Sequence, residues 1–141
     1  MNVKYLVIHC SATKENQEFD ISDIDRWHKA LGWRKVGYHF VVKLDGIVQN
    51  GRSLNEYGSH VKGHNRHSIG ICYIGGLDKN GNPKDTRTPQ QKQSILDTLY
   101  MLREKYPKAI IQGHRDFAGV AKACPCFNAK SEYKELPKKK L

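Results

Sequence analysis

The chain has no long hydrophobic run. None of its apolar stretches approaches the roughly 20 residues needed to span a bilayer, so we predict no membrane span. The first apolar stretch, YLVI at positions 5–8, is too short for the core of a secretion signal and is followed by no cleavage site of small residues. We therefore expect synthesis in the cytoplasm, without a signal for the standard secretory route.

Cysteine is scarce as well. The chain has four cysteines, too few for a disulfide scaffold at this length: Cys10, Cys72, Cys124 and Cys126. Cys124 and Cys126 are separated by a single residue and cannot easily bridge each other. We expect reduced thiols, one of which can bind a metal ion, while one bridge between distant positions stays open as an alternative.

Acidic residues are outnumbered by basic ones. The 24 Lys and Arg against 14 Asp and Glu give a net charge of +10. A basic surface attracts polyanions, whether nucleic acid, anionic envelope polymers or acidic small substrates. The charge does not choose among these partners, and a solvated basic surface explains it equally well.

The first third of the chain is predicted to hold a strand, a helix and a hairpin. Residues 3–12, VKYLVIHCSA, indicate a buried strand. The segment DISDIDRWHKALGW predicts a helix with Ser22 as its N-cap and Gly32 at its end. Its buried face would be formed by Ile24, Trp27, His28 and Leu31. The segment VGYHFVVKLDGIVQNG is typical of a β-hairpin that turns at LDG.

The rest of the chain is predicted to hold a loop, a strand, a helix and a last strand. Residues 51–67 are polar and aperiodic, which indicates a loop, and SIGICYIGG then forms a strand. The capping box TPQQ, with proline at the first helical position, opens the strongest helix at about Pro89–Lys105. The segment KAIIQGH is a short strand.

The predicted order of elements is β, α, β, β, β, α, β, with no internal repeat and no low-complexity linker. This order indicates one α/β domain over residues 1–141, in which helices flank a central mixed β-sheet. We place its folded core at about residues 3–127 and a basic C-terminal tail at residues 128–141.

Three candidate metal ligands lie at or beyond predicted strand ends. His9 closes the first strand, His114 closes the last, and Cys124 follows in a loop. If these strands are neighbours, both histidines leave the same sheet edge and the loop can bring Cys124 to them. Two imidazoles and one thiolate suit zinc and leave a fourth position open for water. Taken singly, His9 is equally explained as a hydrogen-bonded strand-end histidine and Cys124 as a small buried residue.

Tyr38 and Lys122 are candidates for catalytic assistance. Amide hydrolysis needs a donor for the developing oxyanion and a group that handles the proton passed to the leaving amine. Lys122 could serve as that donor, and the Tyr38 hydroxyl could orient water or the tetrahedral intermediate. A half-buried strand tyrosine and a solvated loop lysine are the simpler alternatives.

Ordered sequence blocks cover nearly the whole chain, from about Val3 to Phe127. They are VIHCSAT, WHKALGWRKVGYHFVVKLDGIVQNGR, GSHVKGHNRHSIGICYIGG, TPQQ, and GHRD followed by KACPCF. Together they resemble the zinc-dependent N-acetylmuramoyl-L-alanine amidases of the type 2 family, and most closely the short phage lysozymes that are amidases.

The resemblance implies that one Zn²⁺ ion is held by His9, His114 and Cys124 in a surface groove of the α/β fold. It also implies that Tyr38 and Lys122 assist catalysis. The substrate would be peptidoglycan, hydrolysed at the amide between the lactyl group of N-acetylmuramic acid and the L-alanine of the stem peptide. The loop after the last strand would then carry a ligand and a lysine to the rim of a groove that admits a polymer.

Three further residues receive assignments beside these. His60, inside GSHVKG, is the candidate for substrate contact, although loop histidines are often simply exposed. No carboxylate in the matching blocks is an obvious general base, and we expect a structural or outer-shell role for Asp116. Cys126 stands where the family commonly has a small residue, and we expect it to be a spectator, with an oxidation-prone thiol or a competing ligand as the alternatives.

Other functions stay open at this point. The same fold serves as a peptidoglycan-binding module without catalysis, and a peptidase cutting another stem-peptide bond could use the same ligands. Some phage amidases of this type also inhibit RNA polymerase, which makes that enzyme a further candidate partner. We expect a monomer that acts on the cell wall after release or dedicated export.

Overall fold

Residues 2–136 are the part of the chain that the computed structural model describes, and they contain seven strands and three α-helices. The strands are β1 (Tyr5–Cys10), β2 (Thr13–Lys14), β3 (Phe40–Val42), β4 (Val48–Asn50), β5 (Ser68–Tyr73), β6 (Gly76–Leu77) and β7 (Ile110–Gly113). The helices are α1 (Ile21–Ala30), α2 (Pro89–Lys105) and α3 (Ala129–Glu132). None of these helices is long and apolar enough to cross a membrane.

Five strands form one mixed sheet in the order β4-β3-β5-β1-β7, which confirms the predicted fold class. Strands β3, β5, β1 and β7 run parallel, and β4 pairs antiparallel with β3 as the predicted hairpin. Strands β2 and β6 were not predicted and form a separate parallel pair. Because parallel strands end at the same edge of a sheet, the residues that follow β1 and β7 are brought together there.

Strand β1 lies between β5 and β7 and is covered on both faces, which explains its continuous apolar sequence. Leu6 and Ile8 belong to the main core, which α2 covers. Val7 points to the other face and packs with Val61 and Phe117. Since side chains alternate along a strand, His9 shares the face of Val7.

Helix α2 has the predicted bounds and cap. Thr88 accepts a hydrogen bond from the Gln91 amide, and the Gln91 side chain accepts one from the Thr88 amide. Its buried face supplies Ile95, Leu99 and Leu102 to the main core. The buried Gln91 amide group also donates to the carbonyls of Val42 and Ile74, so the start of α2 is tied to the ends of two sheet segments.

Helix α1 begins two residues earlier than the sequence predicted. Asp20, not Ser22, is the N-cap: its side chain accepts from the amides of Ser22 and Asp23, and Asp23 accepts from the Asp20 amide in return. Both residue types cap helices well, and the reciprocal partner three residues later decides between them. Leu31, predicted on the buried face, is 68% exposed, because the helix ends at Ala30 and Ile24 is its buried residue.

The folded part extends past the predicted boundary at residue 127. Ala129 and Tyr133 are buried in the main core together with Phe127, so residues 128–136 are not a solvated tail. This segment has no hydrophobic run that would have predicted it, because two apolar side chains spaced four residues apart suffice to bury one helical turn. Residues 137–141 of the predicted tail lie outside the described residues.

A buried arginine holds this C-terminal segment in place. The Arg87 guanidinium donates two hydrogen bonds to Asp85 and two to Glu132, at 2.8–2.9 Å. It also donates to the Tyr133 hydroxyl and lies 3.4 Å from the centre of the Phe127 ring. Arg87 therefore joins the segment before α2 to α3 through paired charges and a cation–π contact.

We expect Arg87→Met to destabilise the fold by about 1–3 kcal/mol, less than for a fully buried pair because both carboxylates are partly solvated. Urea unfolding at neutral pH measures this loss. Arg87 holds the pKa of Glu132 below its usual range. The contribution of the Arg87–Glu132 pair to the free energy of unfolding is therefore complete above about pH 4.5 and is lost as the pH falls below that value. Arg26→Met, at an exposed pair with Asp23, is the control and should change stability little. Equal effects of the two substitutions would contradict the role of Arg87.

Candidate metal centre

The three predicted ligands lie together at the end of the central strands. Strands β1 and β7 pair with Ile8 opposite Gly113, so the following residues, His9 and His114, come side by side with ring centres 4.7 Å apart. Cys124 reaches the same point from the loop after β7. One ligand atom of each of these three side chains lies within 4.8 Å of the other two.

The loop that carries Cys124 is fixed at the cysteine itself and at the residue that follows it. The Arg115 amide donates to the Cys124 carbonyl at 2.9 Å, and the Tyr73 hydroxyl donates to the Pro125 carbonyl at 2.6 Å. The Cys10 amide donates to the Cys124 sulfur at 3.2 Å. This bond holds the sulfur at the end of strand β1, beside the two histidines.

Burial of the two histidine ligands favours the neutral form that binds metal. Burial, followed by the neighbouring His60 and His114, lowers the pKa of His9 well below its ordinary value. Burial and Lys122 lower the pKa of His114. Both imidazoles are therefore neutral at physiological pH, and His9 Nδ1 lies 3.9 Å from the Cys124 sulfur. Two neutral imidazoles and a thiol are a donor set that fits Zn²⁺.

Tyr38 and Lys122 border the same cavity as the ligands, a cleft of ≈ 280 Å³. The ring of Tyr38 lies 5.0 Å from that of His9, and burial raises the pKa of Tyr38, so its hydroxyl stays protonated. Lys122 is exposed at the mouth. A neighbouring cavity of ≈ 430 Å³ shares His60, His114 and Lys122 with the cleft, so the centre opens onto a longer groove.

His60 lies against His9 instead of projecting from a surface loop. Its Nδ1 is 2.8 Å from His9 Nε2, and its Nε2 is 3.1 Å from the Ser68 hydroxyl. Burial lowers the pKa of His60 to about 3. Because both ring nitrogens have partners within the protein, His60 can meet a molecule in the cleft only through the carbon edge of its ring.

Asp116 and Cys126 have contacts away from the ligand group. Asp116 accepts a hydrogen bond from the Gly113 amide at 2.8 Å, which fixes the turn that follows β7. The Cys126 sulfur lies 3.8 Å from that of Cys10 and is outside the group of three ligand atoms. Among the described residues that border the cleft there is no carboxylate.

Three residues at the centre were not singled out from the sequence: Trp33, Ser59 and Ser68. Trp33 and Ser59 border both cavities, and Ser68 lies behind His60. The sequence could have indicated Trp33, because a tryptophan directly after the glycine that ends a helix lies on no predicted apolar face and is therefore a candidate for another role. Ser59 and Ser68 had none, because their roles depend on contacts between distant segments.

Comparison with known proteins identifies the family of the chain. The family model described as N-acetylmuramoyl-L-alanine amidase matches residues 1–127. The chain is 49% identical over 121 residues to an endolysin of Enterobacteria phage K11, covering 86% of this chain and 79% of that protein. It is 45% identical over 125 residues to the endolysin of Escherichia phage T7, covering 89% and 82%.

Solved structures give the same assignment. The amidase LysC from Clostridium intestinale URNW superimposes with a TM-score of 0.80 at 30% identity, over 96% of this chain and 85% of that one. Drosophila PGRP-LB shares the fold with a TM-score of 0.78 at 23% identity, over 96% and 82%. The chain therefore belongs to the N-acetylmuramoyl-L-alanine amidase family of peptidoglycan hydrolases.

Proposed function

We propose that the chain binds one Zn²⁺ ion through His9, His114 and Cys124. In this proposal it hydrolyses the amide between the lactyl group of N-acetylmuramic acid and the L-alanine of the stem peptide. The observation that supports this most is the meeting of two neutral imidazoles and one thiol in the wall of an open cleft. Three protein ligands with an open side are typical of catalytic zinc sites, whereas structural sites are closed by four.

The donor set decides what the ion contributes. Bound Zn²⁺ would polarise the scissile carbonyl and lower the pKa of water toward about 7, which supplies a nucleophile at neutral pH. The residues around the ion would bind the substrate and stabilise the negative charge that develops on its carbonyl oxygen. The open groove on the Lys122 side admits a polymer, which an enclosed pocket would exclude.

Lys122 and Tyr38 have complementary roles in this proposal. The Lys122 ammonium, at the mouth of the cleft, donates to the carbonyl oxygen as negative charge develops on it. The Tyr38 hydroxyl stays protonated and can donate a hydrogen bond that orients water or the tetrahedral intermediate. Asp116 is engaged by the Gly113 amide, so we assign it no proton transfer.

The remaining predictions concern partners and location. Peptidoglycan is the proposed substrate, and contact with it through the ring edge of His60 stays a prediction. The presence of Tyr38 and Lys122 beside the ligands favours catalysis over a module that only binds. Inhibition of RNA polymerase, a monomeric state, cytoplasmic synthesis and release to the wall by dedicated export also stay predictions.

Digestion of purified peptidoglycan tests the proposed reaction. We expect released stem peptides that begin with L-alanine, identified by mass spectrometry, to disappear after chelation and to return when zinc is added back. Cleavage at another bond would make the chain a different peptidase. Tight binding to an intact wall would make it a recognition module.

A matched pair of cysteine substitutions tests which thiol binds the metal. Cys124→Ser removes the sulfur of the ligand group, so we expect loss of zinc and of turnover by at least about 100-fold. Cys126→Ser, two residues later, should keep one zinc ion per chain, because this sulfur lies outside the group. A chromophoric chelator measures the bound zinc. The reverse pattern would identify Cys126 as the ligand.

Substitutions of the two assisting residues separate chemistry from metal binding. Lys122→Ala and Tyr38→Phe should each retain zinc and reduce kcat, by about 100–1,000-fold for a lost oxyanion donor. Lys108→Ala removes an exposed lysine elsewhere and is the charge control. Steady-state kinetics on a soluble muropeptide give kcat and KM separately. An unchanged kcat in Lys122→Ala would refute its proposed role.

A further inference from the structure

A hydrogen-bonded chain of side chains runs from the metal centre into the protein. His9 Nε2 is 2.8 Å from His60 Nδ1, His60 Nε2 is 3.1 Å from the Ser68 hydroxyl, and that hydroxyl is 2.7 Å from the His64 carbonyl. His9 and His60 are 1% and 9% exposed, and Ser68 is fully buried. These three side chains are therefore largely shielded from bulk water.

The His64 carbonyl at the far end determines which atom donates and which accepts in each of these hydrogen bonds. A carbonyl oxygen can only accept, so the Ser68 hydroxyl donates to His64 and accepts from His60 Nε2. His60 then has no proton on Nδ1, which accepts from His9 Nε2. This leaves His9 Nδ1 with a free lone pair on the side of Cys124. That is the protonation pattern that a metal-binding imidazole requires.

The His60 ring has no room to turn away from this arrangement. A Cβ atom at Gly58 would lie 2.5 Å from His60 Cδ2, and one at Gly70 would lie 2.8 Å from its Cγ and Nδ1. The backbone amide of His60 is itself held by the Asn65 side chain at 2.9 Å. Glycine on two sides thus lets the imidazole fit tightly between neighbouring segments, and a larger residue at either position would displace it.

We propose that His60 is a positioning residue for the metal centre: it selects the tautomer of His9 and holds Nδ1 toward the other ligands. The inference rests on the zinc centre proposed above and adds a role for a residue that binds no metal. It accounts for the burial of a histidine in an otherwise polar loop. In this proposal Ser68 and the His64 carbonyl help to position His9 as well, because they determine which nitrogen of His60 carries the proton.

Two isosteric substitutions test the role of His60. Asn and Leu have the same branched shape, but the Asn side chain keeps an oxygen near the place of His60 Nδ1, where it can accept from His9. Loss of a residue that hydrogen-bonds to a metal ligand typically weakens metal binding by about 10–100-fold, and we expect this loss for His60→Leu. We expect His60→Asn to bind zinc with most of the wild-type affinity. Competition with a chromophoric chelator measures the affinity, and urea unfolding of the zinc-free variants checks the fold.

The outcomes distinguish this inference from the proposed function. Equal zinc affinities of the Leu and Asn variants would overturn the positioning role, because shape alone would then matter. A wild-type protein that binds no zinc would overturn the proposed metal centre instead.

A second measurement depends on no variant. Long-range ¹H–¹⁵N spectra of the zinc-free wild-type protein at neutral pH report the tautomer of each histidine. We expect the proton of His9 on Nε2 and that of His60 on Nε2. A His9 ring protonated on Nδ1 would overturn the inference even if zinc binds.

Discussion

The parallel pairing of β1 with β7 is the constraint on which the site depends. The register places Ile8 opposite Gly113, and the next residue of each segment is a candidate ligand. Side chains alternate along a strand, so a slip by one residue would turn the His9 side chain toward the α2 face and away from the other two ligands. The register is in turn held by burial of Leu6, Ile8 and Val7 on opposite faces. The geometry of the centre is therefore a consequence of core packing.

Burying histidines at this edge costs solvation, and the structure meets that cost with hydrogen bonds. His9 bonds to His60, and His60 bonds to Ser68, so each buried ring nitrogen that turns away from the cleft has a partner. Burial lowers the pKa of both rings, which keeps them neutral. A neutral imidazole has one nitrogen that donates and one that accepts. The chain of partners can thus decide which nitrogen faces the cleft.

Local sequence signals predicted much of the fold. The TPQQ box, the LDG turn and the apolar strand runs each depend on neighbouring residues, and α2, the hairpin and β7 follow them. The start of α1 was misplaced because Asp20 and Ser22 are both good caps. Helix α3 was missed because Arg87, which holds Tyr133 in place, comes from a distant segment.

The candidate site, like the fold, was predictable from the sequence only in part. The strand-end positions of His9 and His114 were visible in the sequence, and family resemblance joined Cys124 to them. The link between His9 and His60 was not predictable, because it joins residues 51 positions apart through a loop without periodicity. The glycines at positions 58 and 70 were visible, but the sequence does not show that each faces an imidazole. Contacts of this kind depend on the packed fold and on no local pattern.

The anchoring of the last ligand explains why a loop can carry it. The Cys124 carbonyl accepts from the Arg115 amide, and the carbonyl of the next residue, Pro125, accepts from the Tyr73 hydroxyl. Three residues after the cysteine, Phe127 is buried under the Arg87 guanidinium. The ligand loop is thus fixed, from Cys124 onward, to the same core that sets the strand register. Lys122, two residues before the cysteine, stays exposed, so a fixed ligand and a solvent-exposed lysine lie side by side at the open groove.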